Sequence, residues 1–501
     1  MSFSPSLSSG FARTETRSKH ITPSSGMCSM CTEDCGILCD LGLAAVRGAQ
    51  TVYPTTTGAN QIAGEKEYPL DYSHFNINGH VFGATGAEPD YESAEIFNVD
   101  LGVEYGTYNK VKMALPLIQP AIIKLAWRDY FAGAAMAGIT CVVGEDAKGK
   151  DPDLKIEDGK ITDFPMLGEI IGSFKKYYRG YGQIVPQCNV EDDMLGVPEI
   201  AIGKYGAEAI EFKFGQSAKG TQPVNRLADI DEALKKQSMG YLVHPDPSDP
   251  AVRKAYEDRV CPNFYMYGRL PQWDEEFFAK RIGRLRNMGL KNVYFKMAGY
   301  DPEDLERVLK IASDNRVDMV TFDGAGGGSG YSPSAMMNEW CTPTVMLESK
   351  LIDIAEKMKR KKLEIPAINI TGGFSTEADV YKALAMGNGD IKAVGLCRAP
   401  MAAAMSANRV GKQIEEGTLP ETLKRFGTTK QELFADLPDL RALYGTEADD
   451  FPYGAIGVFS YLNKLAFGIR HFGALNRKFD IKYFDQSDLV PLTDEAADLL
   501  L

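Results

Sequence analysis

Four cysteines, Cys28, Cys31, Cys35 and Cys39, fall within twelve residues in the spacing C-x2-C-x3-C-x3-C. Clustered thiols in a chain whose Ser-rich start lacks the apolar core of a signal peptide point to metal or cluster ligation rather than disulfides. A four-iron, four-sulfur (4Fe-4S) cluster needs four thiolates converging on one compact body, and a short cysteine run supplies them from a small length of backbone. Structural zinc more often uses two C-x2-C knuckles a dozen or more residues apart, a gap missing here. The remaining cysteines, Cys141, Cys188, Cys261, Cys341 and Cys397, stand alone and read as small buried hydrophobes.

A second group of residues sits where short apolar runs end. Lys213 and Lys296 close two different runs, and a lysine at such a rim is unfavourable unless it meets an anion or hydrogen-bond acceptors. Beside a flavin, such a lysine would stabilise the anion that develops when the ring is reduced. Gly372-Gly373 and Arg398 follow the last two runs. Glycines there let backbone N–H groups approach a phosphate that also faces a helix N-terminus, and an arginine adds a charged fork. A phosphorylated cofactor is implied. The stretch from Gly324 to Gly330 is glycine-rich but lacks the Gly-Lys-Ser/Thr ending of an ATP-binding loop.

These residues need elements to hold them. From about residue 110 the chain repeats an apolar run, a polar or glycine-rich turn and a longer amphipathic segment, the signature of βα units. Eight runs qualify as strands: 139–143, 183–187, 209–214, 263–267, 292–296, 318–322, 367–371 and 392–397. Helix signals agree, with Asp301-Pro302 opening a segment to Asn315, and Ser375 or Thr376 opening one that Gly387 closes. The expected fold is α/β, a (β/α)8 TIM barrel, with an open doubly wound sheet as the alternative. The chemistry of such barrels gathers at the C-terminal ends of the strands, where Glu145, Gln187, Lys213, Lys296, Asp323 and Arg398 all fall.

The domain reading is a flexible tail at 1–25, a cysteine-rich iron–sulfur segment and wrap at 26–109, the barrel at 110–415 and a helical C-terminal extension at 416–501. The aromatic stretch from Phe459 to Phe472 is expected to pack on the barrel, with oligomer contact as the alternative. A formal charge of −13 disfavours nucleic acid and anionic membrane surfaces as partners. No run approaches the ~18 apolar residues of a membrane span, and the expectation is a cytoplasmic protein.

On these residues the sequence resembles the FMN-binding synthase domain of glutamate synthase. Met194-Leu195-Gly196-Val197-Pro198-Glu199, and then Glu211-Phe212-Lys213-Phe214-Gly215-Gln216-Ser217-Ala218-Lys219-Gly220, are similar to the family's stretch ending E-I-K-x-x-Q-G-A-K-P-G. Asp323-Gly324-Ala325-Gly326 onward resembles H-D-G-G-T-G-A-S-P, and Gly372-Gly373-Phe374-Ser375-Thr376 resembles D-G-G-L-K-T. The resemblance spans roughly residues 110 to 410 and implies a TIM barrel binding FMN. It places Gln187, Lys213 and Lys296 beside the flavin ring, Asp323 and Gly324 in the cofactor site, and Gly372, Gly373, Gly395 and Arg398 near the phosphate. Glu145 and Lys219 fall in catalytic positions and Gln216 and Gln222 on the substrate side. The implied reaction passes a hydride from reduced FMN to the imine of a 2-oxo acid, or the reverse. Lys219 would hold the acid's carboxylate and Glu145 would handle a proton.

Three departures qualify it. The family's glutaminase nucleophile, an N-terminal cysteine, is replaced by Met1-Ser2. The family's cluster cysteines beyond the eighth strand are missing, so the N-terminal quartet is the candidate electron port, served by a ferredoxin or a redox partner subunit. The family's proline- and histidine-rich segment after the fourth strand reads here Tyr267-Gly268-Arg269-Leu270-Pro271-Gln272-Trp273-Asp274, which leaves the small acid substrate open. Other flavin barrels reduce C=C bonds or oxidise hydroxy acids, and an electron-transfer subunit is the non-enzymatic alternative.

Overall fold

The computed structural model describes residue 45 and residues 68–500, apart from 124, 219, 221–224, 262 and 328–331. The cysteine quartet, Lys219 and Gln222 therefore lie outside the described residues.

Eight parallel strands close into a barrel: β1 (Leu117–Ile122), β2 (Thr140–Val143), β3 (Ile184–Cys188), β4 (Ala209–Lys213), β5 (Asn292–Ala298), β6 (Met319–Asp323), β7 (Ala367–Thr371) and β8 (Ile391–Gly395). Between and after them run the helices α1 (Trp127–Ala137), α2 (Pro165–Lys175), α3 (Val197–Gly203), α4 (Glu275–Asn287), α5 (Pro302–Asp314), α6 (Thr344–Arg360), α7 (Glu377–Met386) and α8 (Arg398–Glu416). Strands β2 to β5 are buried at every position, as expected where helices cover one face and the barrel lumen the other. The caps read from the sequence are present: Asp301 accepts from the Glu303 N–H to open α5, and Thr376 accepts from the Asp379 N–H to open α7.

The expected strand count holds, but two assignments need correction. Residues 263–267 do not enter the barrel. Phe264–Tyr267 is the middle strand of a separate three-stranded antiparallel sheet with Asn225–Leu227 and Leu242–His244, inserted between β4 and α4. Its alternating burial is the mark of a sheet with one wet face. The insert has its own core of Leu227, Met239, Tyr241, Val243, Phe264 and Met266. The segment 267–274 consequently follows this insert, not the fourth barrel strand. The strand that completes the barrel is β1, whose Pro120 argues against a central strand. The proline is accommodated at a register irregularity between Gln119 and Ile122, where the ladder to β2 skips.

A hairpin of Val103–Tyr105 and Val111–Met113 plugs the N-terminal end of the barrel. The Tyr105 hydroxyl reaches Thr140 at 2.7 Å and Tyr294 at 3.0 Å. Among the described residues this leaves the C-terminal mouth as the end of the barrel that a ligand could enter. Beyond the barrel, helix α9 (Tyr453–Leu475) lies on α1 and α8 and buries Ile456, Phe459, Leu462, Leu465 and Ile469, as expected of packing on the barrel. Phe75–Ile77 pairs with Leu489–Pro491, so the N-terminal wrap and the C-terminal extension hold each other. Cys141 and Cys188 are buried as expected, whereas Cys261, Cys341 and Cys397 are only partly covered.

Candidate active site

Parallel register brings the polar residues of the mouth together. Lys213 and Lys296 are register partners on β4 and β5, and Gln187 and Glu211 are partners on β3 and β4. Alternate strand residues share a face, so Glu211 and Lys213 both project into the lumen. The Lys213 ammonium pairs with the carboxylate of Glu145, the first residue of a 3-10 turn (Glu145–Lys150) after β2. Gln187 Nε2 donates to Glu211 Oε1 at 2.5 Å. Burial pushes the Glu211 carboxyl up to about 7, against the opposing pull of Lys296, the Gln187 hydrogen bond and Lys213. Burial likewise raises Asp323, whose Oδ2 accepts the Ser217 N–H at 3.0 Å.

Lys296 is 2% exposed and makes no hydrogen bond or ion pair among the described residues. Its charge acts on Glu211, Asp323 and Cys397, which belong to three different strands or strand ends, so the ammonium stands in the lumen. A buried ammonium without a direct partner is unfavourable by several kcal/mol. Gln187 Oε1 and Asn369 Oδ1 are buried and have no hydrogen-bond partner among the described residues. This is the signature of a polar pocket shaped for a ligand with both acceptor and donor atoms.

The opposite side of the mouth suits a phosphate. Arg398 is the first residue of α8, and its Nη2 donates to the Gly326 carbonyl at 3.4 Å, bridging the loops after β6 and β8. No side chain among the described residues caps α8, which leaves its first-turn N–H groups open to an anion as far as those residues go. Gly373 has φ +89°, and a Cβ there would meet only ordinary van der Waals contacts, so its backbone conformation explains the residue type. Gly372, Gly324 and Gly395 have a further explanation in packing. A Cβ on Gly372 would lie 2.6 Å from the Gly324 carbonyl, one on Gly324 2.5 Å from Thr344 Cα, and one on Gly395 2.8 Å from Pro120 Cγ. Thr344 ties the same loops together by donating to the Ala325 and Gly372 carbonyls, both at 2.9 Å.

The structure thus gathers Glu145, Gln187, Lys213, Lys296, Asp323, Gly324, Gly372, Gly373, Gly395 and Arg398 around one mouth, with the partly buried Gln216 on its rim. Glu145 is bonded to Lys213 rather than standing apart on a substrate side. Glu211 is a site residue missed in the sequence, although its place two residues before Lys213 puts it on the same strand face. Also missed are Lys148 and Asp192, a buried ion pair at 2.5 Å. Lys148 belongs to the 3-10 turn that begins with Glu145, so its pair with Asp192 fastens that turn to the helix after β3 (Val190–Leu195), and its place 5.0 Å from the Tyr241 ring links it to the insert. Among the described residues no group of three or more His, Cys, Asp or Glu could hold a metal, and no helix is long and apolar enough to cross a membrane.

Residues 272–409 match the family profile described as the conserved region in glutamate synthase, in agreement with the resemblance read from the sequence. No curated protein matches. Similar solved structures include a flavocytochrome b2 mutant with sulfite bound, at 13% identity, covering 84% of this chain and 77% of that chain with a TM-score of 0.46. The recombinant flavin-binding domain of baker's yeast flavocytochrome b2 aligns at 13% identity over 86% of this chain and 82% of that one, TM-score 0.46. The monotopic membrane protein (S)-mandelate dehydrogenase aligns at 13% over 84% and 89%, TM-score 0.43.

Proposed function

We propose that this chain is an FMN-dependent oxidoreductase of glutamate synthase type, transferring a hydride between reduced FMN and the imine of a 2-oxo acid. The observation that carries the reading is the polarity of one mouth: Lys296, a buried residue with no hydrogen-bond or ion-pair partner among the described residues, on one side, and Arg398 at a helix N-terminus without a side-chain cap on the other. The glutamate synthase match over 272–409 includes both residues. Bound FMN would supply the hydride-carrying ring. Arg398 and the α8 N–H groups would hold its phosphate, and Lys296 with Gln187 would offer a donor charge and polar atoms to the ring. The Lys213 ammonium, fixed by Glu145, adds positive charge where a reduced ring becomes anionic. Glu211, titrating near neutrality, can hold or release a proton on its carboxyl beside that edge. Lys219 is assigned to the acid's carboxylate by the resemblance.

The quartet Cys28, Cys31, Cys35 and Cys39 is assigned to a 4Fe-4S cluster on its spacing, with a ferredoxin or partner subunit as the electron source. The test is to reduce the purified flavoprotein without oxygen and add candidate oxidants. Reoxidation by 2-oxo acids together with ammonia supports the imine reaction. Reoxidation by enoates alone, hydroxy-acid-driven reduction, or reactivity with protein partners only would replace it.

A further inference from the structure

Beside the mouth stands a second buried ion pair that the proposed reaction does not use. Lys148 and Asp192 are 1% and 2% exposed and meet at 2.5 Å. A buried pair gains little over apolar residues of the same size, so stability alone does not account for it. Its surroundings do. Lys148 lies in the 3-10 turn Glu145–Lys150, and side chains three apart in such a turn eclipse, which puts Lys148 on the same side as Glu145. Six residues is long for a 3-10 run, whose hydrogen bonds are poorly aligned, so contacts from outside fix where the turn sits. Lys150 supplies one by donating to the Ile123 carbonyl, and Lys148 supplies another by donating to Asp192. Burial, opposed by Lys148, raises the Asp192 carboxyl to about 6, and the neighbouring Glu145 charge adds to the rise.

The antiparallel insert closes on both partners of the pair. Tyr241, buried in the core of the insert, holds its ring 5.0 Å from the Lys148 ammonium. A Cβ on Gly149 would lie 3.4 Å from Nζ of Lys236, which belongs to the insert's helix Ile230–Ser238. A Cβ on Gly240 would lie 3.7 Å from Glu191 Cβ, and just past the insert the Arg269 N–H donates to Glu191 Oε1 at 2.6 Å. The insert therefore grips the 145–150 turn and the helix Val190–Leu195 together. At the start of that turn, Glu145 pairs with the Lys213 ammonium.

We propose that Lys148 is a positioning residue: with Tyr241 of the insert it fixes the 145–150 turn so that Glu145 meets Lys213 beside the bound flavin. The place of the flavin rests on the proposed function, whereas the linkage from Lys148 to Glu145 is a property of the chain itself. The insert thereby reaches the flavin site through two buried ion pairs in series.

The test is a double-variant cycle in the FMN-loaded protein, read as the dissociation constant of sulfite, whose addition leaves an anionic ring and so reports the charge held beside it. One arm is Glu145→Gln. The other is Lys148→Met together with Asp192→Leu, so that no buried carboxylate is left unpaired and the protein folds. Each arm should change the constant about ten-fold in the same direction, the equivalent of one charge-assisted bond. The combined variant should change it no further than Glu145→Gln alone. A purely structural pair would move the melting temperature and leave the sulfite constant where it was. An unchanged constant in the Lys148 arm, a shift in the opposite direction, or shifts that multiply in the combined variant would overturn the proposal. Tyr241→Leu should move the constant the same way by a smaller factor, and no movement would overturn the insert's part in it. A crystal structure of the flavin-free Lys148→Met/Asp192→Leu protein separates this from the proposed function. Glu145 drawn away from Lys213 in a protein that binds no FMN would keep the positioning and remove the flavin, whereas Glu145 still seated on Lys213 would overturn the positioning whatever FMN does.

Discussion

Lys296→Met separates a structural lysine from a ligand-binding one, because the two roles predict opposite signs. Lys296 is 2% exposed and has no direct hydrogen-bond or ion-pair partner among the described residues, so in the flavin-free protein its charge is a burden partly relieved by Glu211 and Asp323. Methionine keeps the length and removes the charge. Replacing buried charges with apolar groups of similar volume is neutral or stabilising by about 1–4 kcal/mol, and loss of the attraction to Glu211 and Asp323 trims this to about 1–2 kcal/mol. In a chain of this size that is a rise of about 1–2 °C in the melting temperature of the flavin-free protein. In the bound state the same ammonium makes a charge-assisted bond worth about 1.5–3 kcal/mol, so FMN should bind about 10–100-fold more weakly. Differential scanning calorimetry of the apoprotein and fluorescence titration with FMN read the two numbers. A variant that melts lower when empty and binds FMN as tightly as the parent would refute the assignment of Lys296 to the cofactor.

Other consequences follow from the same geometry. Burial keeps the Glu211 carboxyl protonated up to about 7, so between about pH 4.5 and 7 the folded protein binds a proton that the unfolded chain has released. Its contribution therefore falls as pH rises through that window, by about 3 kcal/mol in all. Urea unfolding of Glu211→Gln should show a flatter stability profile from pH 5 to 8, and an unchanged profile would mean that Glu211 is ionised throughout. Lys148→Met leaves Asp192 buried and unpaired and should lower stability by about 3–5 kcal/mol, most of it recovered when Asp192→Leu is added. Equal losses in the single and double variants would show that the pair is not the unit. Cys31→Ser should abolish bound iron while near-UV circular dichroism of the barrel stays unchanged, and full retention of iron would remove the quartet from the metal site.

Much of this arrangement is legible in the sequence because the relevant signals are local. The caps at Asp301 and Thr376 announce their helices, and lysines at the ends of apolar runs announce the mouth. What escapes is what depends on context. Pro120 hides β1, since a proline inside a short run argues against a strand unless the register breaks there, as it does between Gln119 and Ile122. Residues 263–267 pass as a barrel strand because Phe, Tyr and Met suit either kind of sheet, and only pairing separates them. The Lys213–Glu145 and Lys148–Asp192 pairs join residues 68 and 44 positions apart, a relation that no spacing in the chain reveals. Gly372 and Gly395 look like phosphate-loop glycines, yet their neighbours show that close packing of strand ends also requires them.

The most direct measurement is a comparison of FMN and riboflavin binding to the flavin-free protein, since the two differ only in the phosphate assigned to Arg398 and the α8 N-terminus. Two or more charge-assisted contacts at that pole predict that FMN binds at least about 100-fold more tightly than riboflavin. Equal affinities, or no binding of either, would contradict the barrel mouth as a flavin nucleotide site.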